Sequence, residues 1–244
     1  MPLFSLRDRS MKTNRYFLII FLGLAVVFLH TGIFGSEDIS SLLESKGPAA
    51  KGIITEPSIV RESKLPNLPI NPKQIEFLID NPHIALALAH LYAPFLDNYS
   101  VEVRSDHVVH IEEPGDLAGD AELIDVRPGR RVYLIAGYYD VFNMRFNGDV
   151  VLVTMYTEQR ADAAVSVDAT AIAYFKIKSG FAGAFARLAD YLFPKKVDER
   201  IERFVRAAES IAVAVHKDPA EAYRKLKASG EVSPEELEEF GRTF

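Results

Sequence analysis

Histidines are the side chains whose spacing most directly suggests chemistry in this chain. His107 and His110 stand three residues apart, and His83 and His90 stand seven apart. Positions three apart on a strand face opposite sides, so one metal ion cannot bind both His107 and His110. Positions seven apart on a helix share a face but are separated by about 10.5 Å, too far for one ion. The spacing therefore argues against a metal site, and no metal is predicted.

Other reactive residue types give no stronger signal. Asp168 and Arg145 are the charged residues that the strand pattern best places toward a pocket, although solvent exposure is the ordinary alternative for each. Ser166 and Ser179 would need a neighbouring histidine, which spacing does not establish. The chain has no cysteine, no glycine-rich phosphate loop and no nucleophile elbow. We therefore predict no catalytic residue and no cofactor, and enzyme activity stays open as the less favoured class.

Aromatic residues and methionines concentrate in the middle of the chain. Eight of them fall between positions 133 and 156, namely Tyr133, Tyr138, Tyr139, Phe142, Met144, Phe146, Met155 and Tyr156. Such side chains could line an apolar binding cavity or form ordinary core. The candidate ligand-binding residues are Tyr133, Tyr139, Phe142, Met144, Met155, Asp168 and Phe204.

The elements that would position these residues begin with two helices and continue with strands. Asn71-Pro72 and Asn81-Pro82 each place a capping side chain before a proline at the first helical position. From 99 to 175, β-branched and aromatic residues dominate and turn residues recur at strand-length intervals. Asn147-Gly148 in particular predicts a tight hairpin. The predicted antiparallel meander has six strands, near 100–104, 107–112, 121–127, 131–139, 149–157 and 163–175.

Helices follow the strands. Residues 181–193 predict one helix, Pro194 a break or kink, and 195–216 a long helix. The long helix carries an apolar stripe at three- and four-residue steps, made of Val197, Ile201, Phe204, Ala208, Ile211 and Val215. Such a stripe needs a partner surface, and the inward face of the meander has the matching length. Small residues on that face, Ala169, Ala171 and Ala173, would allow either close packing or room for a ligand. Asp218-Pro219 and Ser233-Pro234 predict two further short helices.

The first 36 residues have the layout of an export signal. Lys12 and Arg15 precede an apolar run over 17–29, and Gly35-Ser36 opens into polar sequence. Because the cleavage site is weak, an uncleaved membrane tether over 17–34 is the alternative. We expect the protein to be periplasmic or secreted, or anchored to the inner membrane. Residues 37–70, rich in proline and glycine, are predicted to be a spacer in which 53–64 is a candidate edge strand.

The order of these elements resembles the START-like, or SRPBCC, helix-grip superfamily from about residue 53 to 216. The resemblance implies an α+β fold in which an antiparallel curved sheet grips a long C-terminal helix. It gives a helix-grip domain at 71–217 and a C-terminal helical extension at 218–244. Members of this superfamily hold lipids, sterols, polyketides or other apolar molecules between sheet and helix, and some are hydrolases or cyclases. The resemblance therefore implies a hydrophobic small molecule or lipid as partner.

The net charge of the chain argues against one class of partner. The chain carries 28 basic and 34 acidic residues, a net charge of −6, and has no basic cluster. A field of that sign repels phosphate backbones, so no nucleic-acid partner is predicted. Three classes stay open in this order: a carrier of an apolar small molecule, an envelope protein-protein interaction module, and an enzyme of the same fold.

Overall fold

The computed structural model of the protein describes residues 48–105, 107–141, 144–161, 164–178 and 184–244. Side chains within these ranges are described except at 141, 144, 164 and 184–194. The predicted signal or tether at 1–36 lies outside the described residues. In the described part, none of the helices combines the length and the apolar character needed to cross a bilayer.

Six α-helices, one short 3-10 helix (Pro94–Leu96) and seven strands make up the described fold. The helices are α1 (Pro48–Thr55), α2 (Pro72–Asp80), α3 (Pro82–Tyr92), α4 (Ala184–Lys217), α5 (Pro219–Ser229) and α6 (Pro234–Thr243). The strands are β1 (Ile59–Leu68), β2 (Ser100–Ser105), β3 (Val108–Glu113), β4 (Leu117–Arg127), β5 (Arg130–Val141), β6 (Met144–Ala161) and β7 (Ala164–Ile177). All strand pairs are antiparallel, in the order β1-β7-β6-β5-β4-β3-β2. The six-strand meander is confirmed, and β1 extends it beside β7.

The two helices after β1 start where the sequence predicts. The side chain of Asn71 accepts a hydrogen bond from the Gln74 amide at 3.0 Å, and the Gln74 side chain accepts one from the Asn71 amide at 2.9 Å. This reciprocal cap satisfies two amides that would otherwise lack partners at the start of α2. Asn81 instead donates from its side chain to the Phe77 carbonyl at 3.0 Å, at the end of α2. Pro82 then begins α3.

The predicted hairpin at Asn147-Gly148 is wrong. Strand β6 runs straight through this dipeptide, with Gly148 opposite Gly137 of β5, and the two strands still pair at Val141 and Met144. Gly148 is not among the described glycines with positive φ. Its lack of a side chain instead lets β6 lie close to β7, because a Cβ there would lie 2.8 Å from the Lys176 carbonyl oxygen of β7. Close approach of strands, rather than a turn, explains this glycine.

Gly148 belongs to a row of glycines that crosses the sheet. Gly119 of β4 lies opposite Gly137, which lies opposite Gly148. A Cβ on Gly137 would stand 2.3 Å from the Ala118 carbonyl oxygen, and a Cβ on Gly119 would stand 3.0 Å from the Ala136 carbonyl oxygen. The row therefore lets β4, β5, β6 and β7 approach more closely than side chains would permit.

Helix α4 packs on one face of the sheet, called here the inner face. Its buried stripe joins the same core as inner-face residues such as Leu65, Leu152 and Ala171. The helix is continuous from Ala184 to Lys217, so the alternative of a break at Pro194 is wrong. An internal proline removes one backbone hydrogen bond, and the neighbouring turns can still hold the helix together. The alternating burial predicted for the last strand is present, with Val167, Ala169, Ala171, Ala173 and Phe175 in the inner core.

The opposite, outer face of the sheet carries its own small core. Ile53 and Ile54 of α1 belong to one buried cluster with Val132, Val151 and Val153 there. The segment predicted as a spacer thus contains, from Pro48 onward, a helix on the outer face and the full strand β1. Helix α1 shields apolar outer-face side chains that would otherwise be exposed to water.

The two C-terminal helices are an integral part of the main core. Phe240 is fully buried, with its ring 6.3 Å from that of Phe77 and 4.7 Å from that of Phe244. His83 Nε2 lies 2.6 Å from a carboxylate oxygen of Glu236. Burial lowers the pKa of His83, although the negative charges of Glu236 and Glu239 oppose the shift. The starts of both helices at Pro219 and Pro234 are confirmed.

The glycine row gives a stability test. Replacing Gly137 with alanine should lower the free energy of unfolding by about 1–3 kcal/mol, because the new methyl group meets the backbone of β4. The matched control is Gly52→Ala in α1, where no atom lies within 4 Å of the new methyl group. That change should raise stability by about 0.5–1 kcal/mol. Urea unfolding measures both, and equal effects would contradict the close-approach explanation.

Candidate functional site

An apolar cavity of about 150 Å³ lies between the inner face of the sheet and α4. Strands β3 to β7 supply most of the wall, and α4 and Tyr99, which precedes β2, supply the rest. Its main apolar contacts come from Ile111, Ile135, Phe146, Val150, Phe175 and Phe204. A volume near 150 Å³ can hold a molecule of about the size of benzene, and it is smaller than the roughly 300–1,000 Å³ of drug-sized sites. The space fits one small apolar group.

The glycine row explains why this space stays open. Gly119, Gly137 and Gly148 all line the cavity. Three adjacent positions without side chains leave a gap below α4 where alternating strand residues would otherwise project. The cavity therefore follows from the missing side chains of the same row.

A second, polar space of about 220 Å³ adjoins the apolar cavity. The two spaces share Tyr139 and Arg200 as lining residues. The polar space, called here the vestibule, is otherwise lined by Asp116, Asp140, Lys196, Glu199 and Arg203. Tyr139 and Arg200 therefore lie at the boundary between the apolar cavity and the charged vestibule.

Arg200 is the central side chain of this junction. Its Nη2 lies 2.6 Å from Glu113 Oε2 and 2.7 Å from Asp116 Oδ2. The side chains of Arg200 and Glu113 are only 10% and 8% exposed. The guanidinium also lies over the Tyr139 ring, 4.7 Å from its centroid. Two carboxylates and an aromatic face therefore hold a buried cation at the edge of the cavity.

Two tyrosines beside Arg200 are protonated at physiological pH. Burial raises the pKa of Tyr99 and that of Tyr139, although the positive charge of Arg200 opposes the shift. The Tyr99 ring meets Phe204 edge-on, with 5.5 Å between the ring centroids. Protonated phenols can donate hydrogen bonds but cannot act as general bases near neutral pH.

The candidate residues from sequence divide into several groups. Tyr139 and Phe204 both line the cavity. Tyr133 is fully buried in the main core and is not part of the cavity wall. Phe142 lies outside the described residues, and only the backbone of Met144 is described.

Met155 and Asp168 do not line the cavity. Met155 packs in the outer core with α1, because Val150 and Leu152 face inward and β6 alternates. Asp168 follows the inward Val167 and therefore faces the other way, where its carboxylate accepts a hydrogen bond from the Asn67 amide at 2.8 Å. Strand alternation already contained this information, since Met155 has the opposite parity to Phe146 and Tyr156.

Sequence reasoning missed Arg200. Its position was visible, because Arg200 lies three residues after Val197 and four before Phe204 on the buried stripe. A charged residue inside an apolar stripe indicates a buried partner. Its partner Glu113 comes from the end of β3, which no local pattern connects to α4.

A second buried arginine has a structural role. Arg131 binds both carboxylate oxygens of Asp80 at 3.0 and 2.8 Å and donates to the Tyr156 hydroxyl at 3.1 Å. That hydroxyl donates to Glu76 at 2.7 Å. This network fastens α2 to β5 and β6, away from the cavity. Burial raises the pKa of the adjacent Tyr133.

The histidines do not assemble a metal site in the described part of the chain. His107 is exposed in a turn, while His110 Nδ1 lies 2.6 Å from Asp120 Oδ1 on the neighbouring strand. Among the described residues, no group of three or more histidine and carboxylate side chains could hold a metal ion.

Removing the buried cation should destabilise the fold. Arg200→Met leaves Glu113 buried without its main partner and should lower the free energy of unfolding by about 3–5 kcal/mol. Adding Glu113→Gln should restore most of the loss, which a double-mutant cycle in urea measures. Arg206→Met, the same change on the exposed side of α4, should alter stability by less than about 1 kcal/mol. A loss that Glu113→Gln does not relieve would contradict the pairing.

Comparison with known proteins found similarity to solved structures only. No protein-family model and no curated protein sequence matches the chain. The crystal structure of Ara h 8.0201 is 13% identical, covers 64% of this chain and 98% of its own, and gives a TM-score of 0.39. An uncharacterized protein from Rhizobium leguminosarum is 15% identical, with 64% and 97% covered and a TM-score of 0.29. CalU16 from Micromonospora echinospora is 8% identical, with 65% and 87% covered and a TM-score of 0.21.

The order and packing of the strands and helices define the fold. Strand β1 is followed by two helices, a six-strand antiparallel meander that returns to pair with β1, and one long helix across the inner face. This arrangement, an antiparallel sheet that packs around one long C-terminal helix, is a helix-grip fold.

Proposed function

We propose that the protein binds a small hydrophobic molecule in the cavity between the inner face of the sheet and α4, without catalysing a reaction. The observation that carries this proposal is the apolar cavity of about 150 Å³. Aliphatic and aromatic side chains form most of its wall, as an apolar ligand requires. The helix-grip fold supports the proposal, since it is typical of proteins that bind hydrophobic ligands.

The wall of the cavity is mostly apolar, so water that enters it finds few hydrogen-bond partners. A ligand that fills the space recovers contacts that the lining side chains otherwise lack. These contacts favour occupancy by an apolar group of matching size.

The chemistry around the cavity supports binding over catalysis. The buried tyrosines Tyr99 and Tyr139 are protonated, so neither supplies a base. The nearby carboxylates of Glu113, Asp116 and Asp140 each form an ion pair with an arginine. Among the described residues at the cavity, the groups that could accept a proton are thus engaged in structural contacts.

A pair of neighbouring substitutions tests the binding site. Ile135 lines the cavity, whereas Leu134 packs on the outer core, and both are half-buried on β5. Toluene should raise the Tm of the unaltered protein by about 2–4 °C, which corresponds to roughly 1 kcal/mol. Ile135→Trp should abolish the rise by filling the cavity, and Leu134→Trp should keep it. No rise in the unaltered protein, or equal responses of the two variants, would overturn the proposal.

We infer further that the protein acts outside the cytoplasm, either exported or tethered to the inner membrane through residues 17–34. The basic residues Lys12 and Arg15 and the apolar run after them support this location. The test is fractionation of the full-length chain expressed in a Gram-negative host. The native chain should appear in the periplasm or inner membrane. A variant carrying Leu24→Arg and Val26→Arg should stay cytoplasmic, and cytoplasmic recovery of both proteins would refute the inference.

A further inference from the structure

We propose that the ligand is amphipathic, with its apolar part in the cavity and a neutral, oxygen-bearing head that accepts a hydrogen bond from Arg200. This inference rests on the proposed function, because it needs the cavity to be a binding site. It adds the chemical class of the head, which the cavity alone does not define.

The arrangement of the two spaces supports a ligand with two chemically different ends. The apolar cavity and the vestibule meet at Tyr139 and Arg200, which line both. The part of a ligand that extends past Arg200 would therefore lie in polar surroundings. A purely apolar extension would be unfavourable there, because it would displace water from charged groups.

The charges of the vestibule favour a neutral head. Three acidic and three basic side chains line it, so their charges cancel. They are also paired locally: Lys196 lies 2.7 Å from Glu199, and Arg200 lies 2.7 Å from Asp116. Asp140 binds Arg145 at 2.7 Å, and Arg203 lies 3.9 Å from Glu113 and donates to the Phe95 carbonyl. A charged head would lose its hydration without a free counter-ion, whereas a neutral dipolar head loses much less.

Arg200 supplies the hydrogen-bond donor. Its Nη2 is engaged by Glu113 and Asp116, but its buried Nη1 has no hydrogen-bond acceptor among the described residues. A guanidinium has only donors, so the missing partner must offer a lone pair. Buried donors without a partner are rare in folded proteins, and a ligand hydroxyl or carbonyl oxygen would satisfy this one.

A series of ligands with one ring and different heads tests the inference on the full-length protein. Toluene has no polar head, acetophenone and benzyl alcohol have neutral oxygen heads, benzoate is anionic and benzylamine is cationic. Calorimetric titration should show acetophenone and benzyl alcohol binding about tenfold more tightly than toluene, as expected for one added hydrogen bond to a charged donor. Benzoate and benzylamine should bind more weakly than acetophenone.

Variants identify Arg200 as the donor. The double variant Arg200→Met with Glu113→Gln removes the donor and keeps the site neutral, so acetophenone and toluene should bind it with equal affinity. Arg206→Met, on the exposed side of the same helix, should keep the tenfold preference. Persistence of the preference in the double variant would overturn the role of Arg200.

The outcomes separate this inference from the proposed function. If toluene binds the unaltered protein but not Ile135→Trp, the cavity binds ligands. If the polar heads then do not change the affinity, the inference is wrong. Tightest binding of benzoate or benzylamine also overturns it. If none of the five compounds binds, both proposals fail together.

Discussion

The whole architecture depends on burial of the apolar stripe of α4 against the inner face of the sheet. Val197, Ile201, Phe204, Ile211 and Val215 are all nearly inaccessible to water. Their burial joins the strands, the helices α2 and α3, and the C-terminal helices in one core. Because apolar burial is the dominant favourable term in folding, no other single contact could replace this one.

One residue in that stripe is charged, and the neighbouring structure accommodates it. Arg200 is carried into the interior by the helix on which it lies, so its charge needs partners there. Glu113 at the end of β3 and Asp116 in the following turn supply them, and the Tyr139 ring covers one face of the guanidinium. The result is a sharp boundary between an apolar cavity and a polar vestibule, which is the feature most relevant to ligand choice.

The sheet contributes the space itself. Its glycine row brings four strands close together and removes side chains at the point where α4 crosses. On the outer face, α1 covers a separate apolar cluster. The two faces thus differ in packing. Helix α1 covers the outer face, while the inner face keeps a gap beside Phe204 and Ile135.

Local patterns in the sequence determined most of the fold. Asn71-Pro72 and Ser233-Pro234 predicted helix starts, and β-branched and aromatic runs between recurring turn residues predicted the meander. Three- and four-residue steps predicted the buried stripe. These signals depend only on residues close in the chain. Asn147-Gly148 misled because its local preference for a turn was overridden by the close approach of β7. Only the tertiary structure decided which side chains meet at the site. The ion pair of Arg200 with Glu113 and the alignment of the three glycines both depend on strand register and on contacts between distant segments.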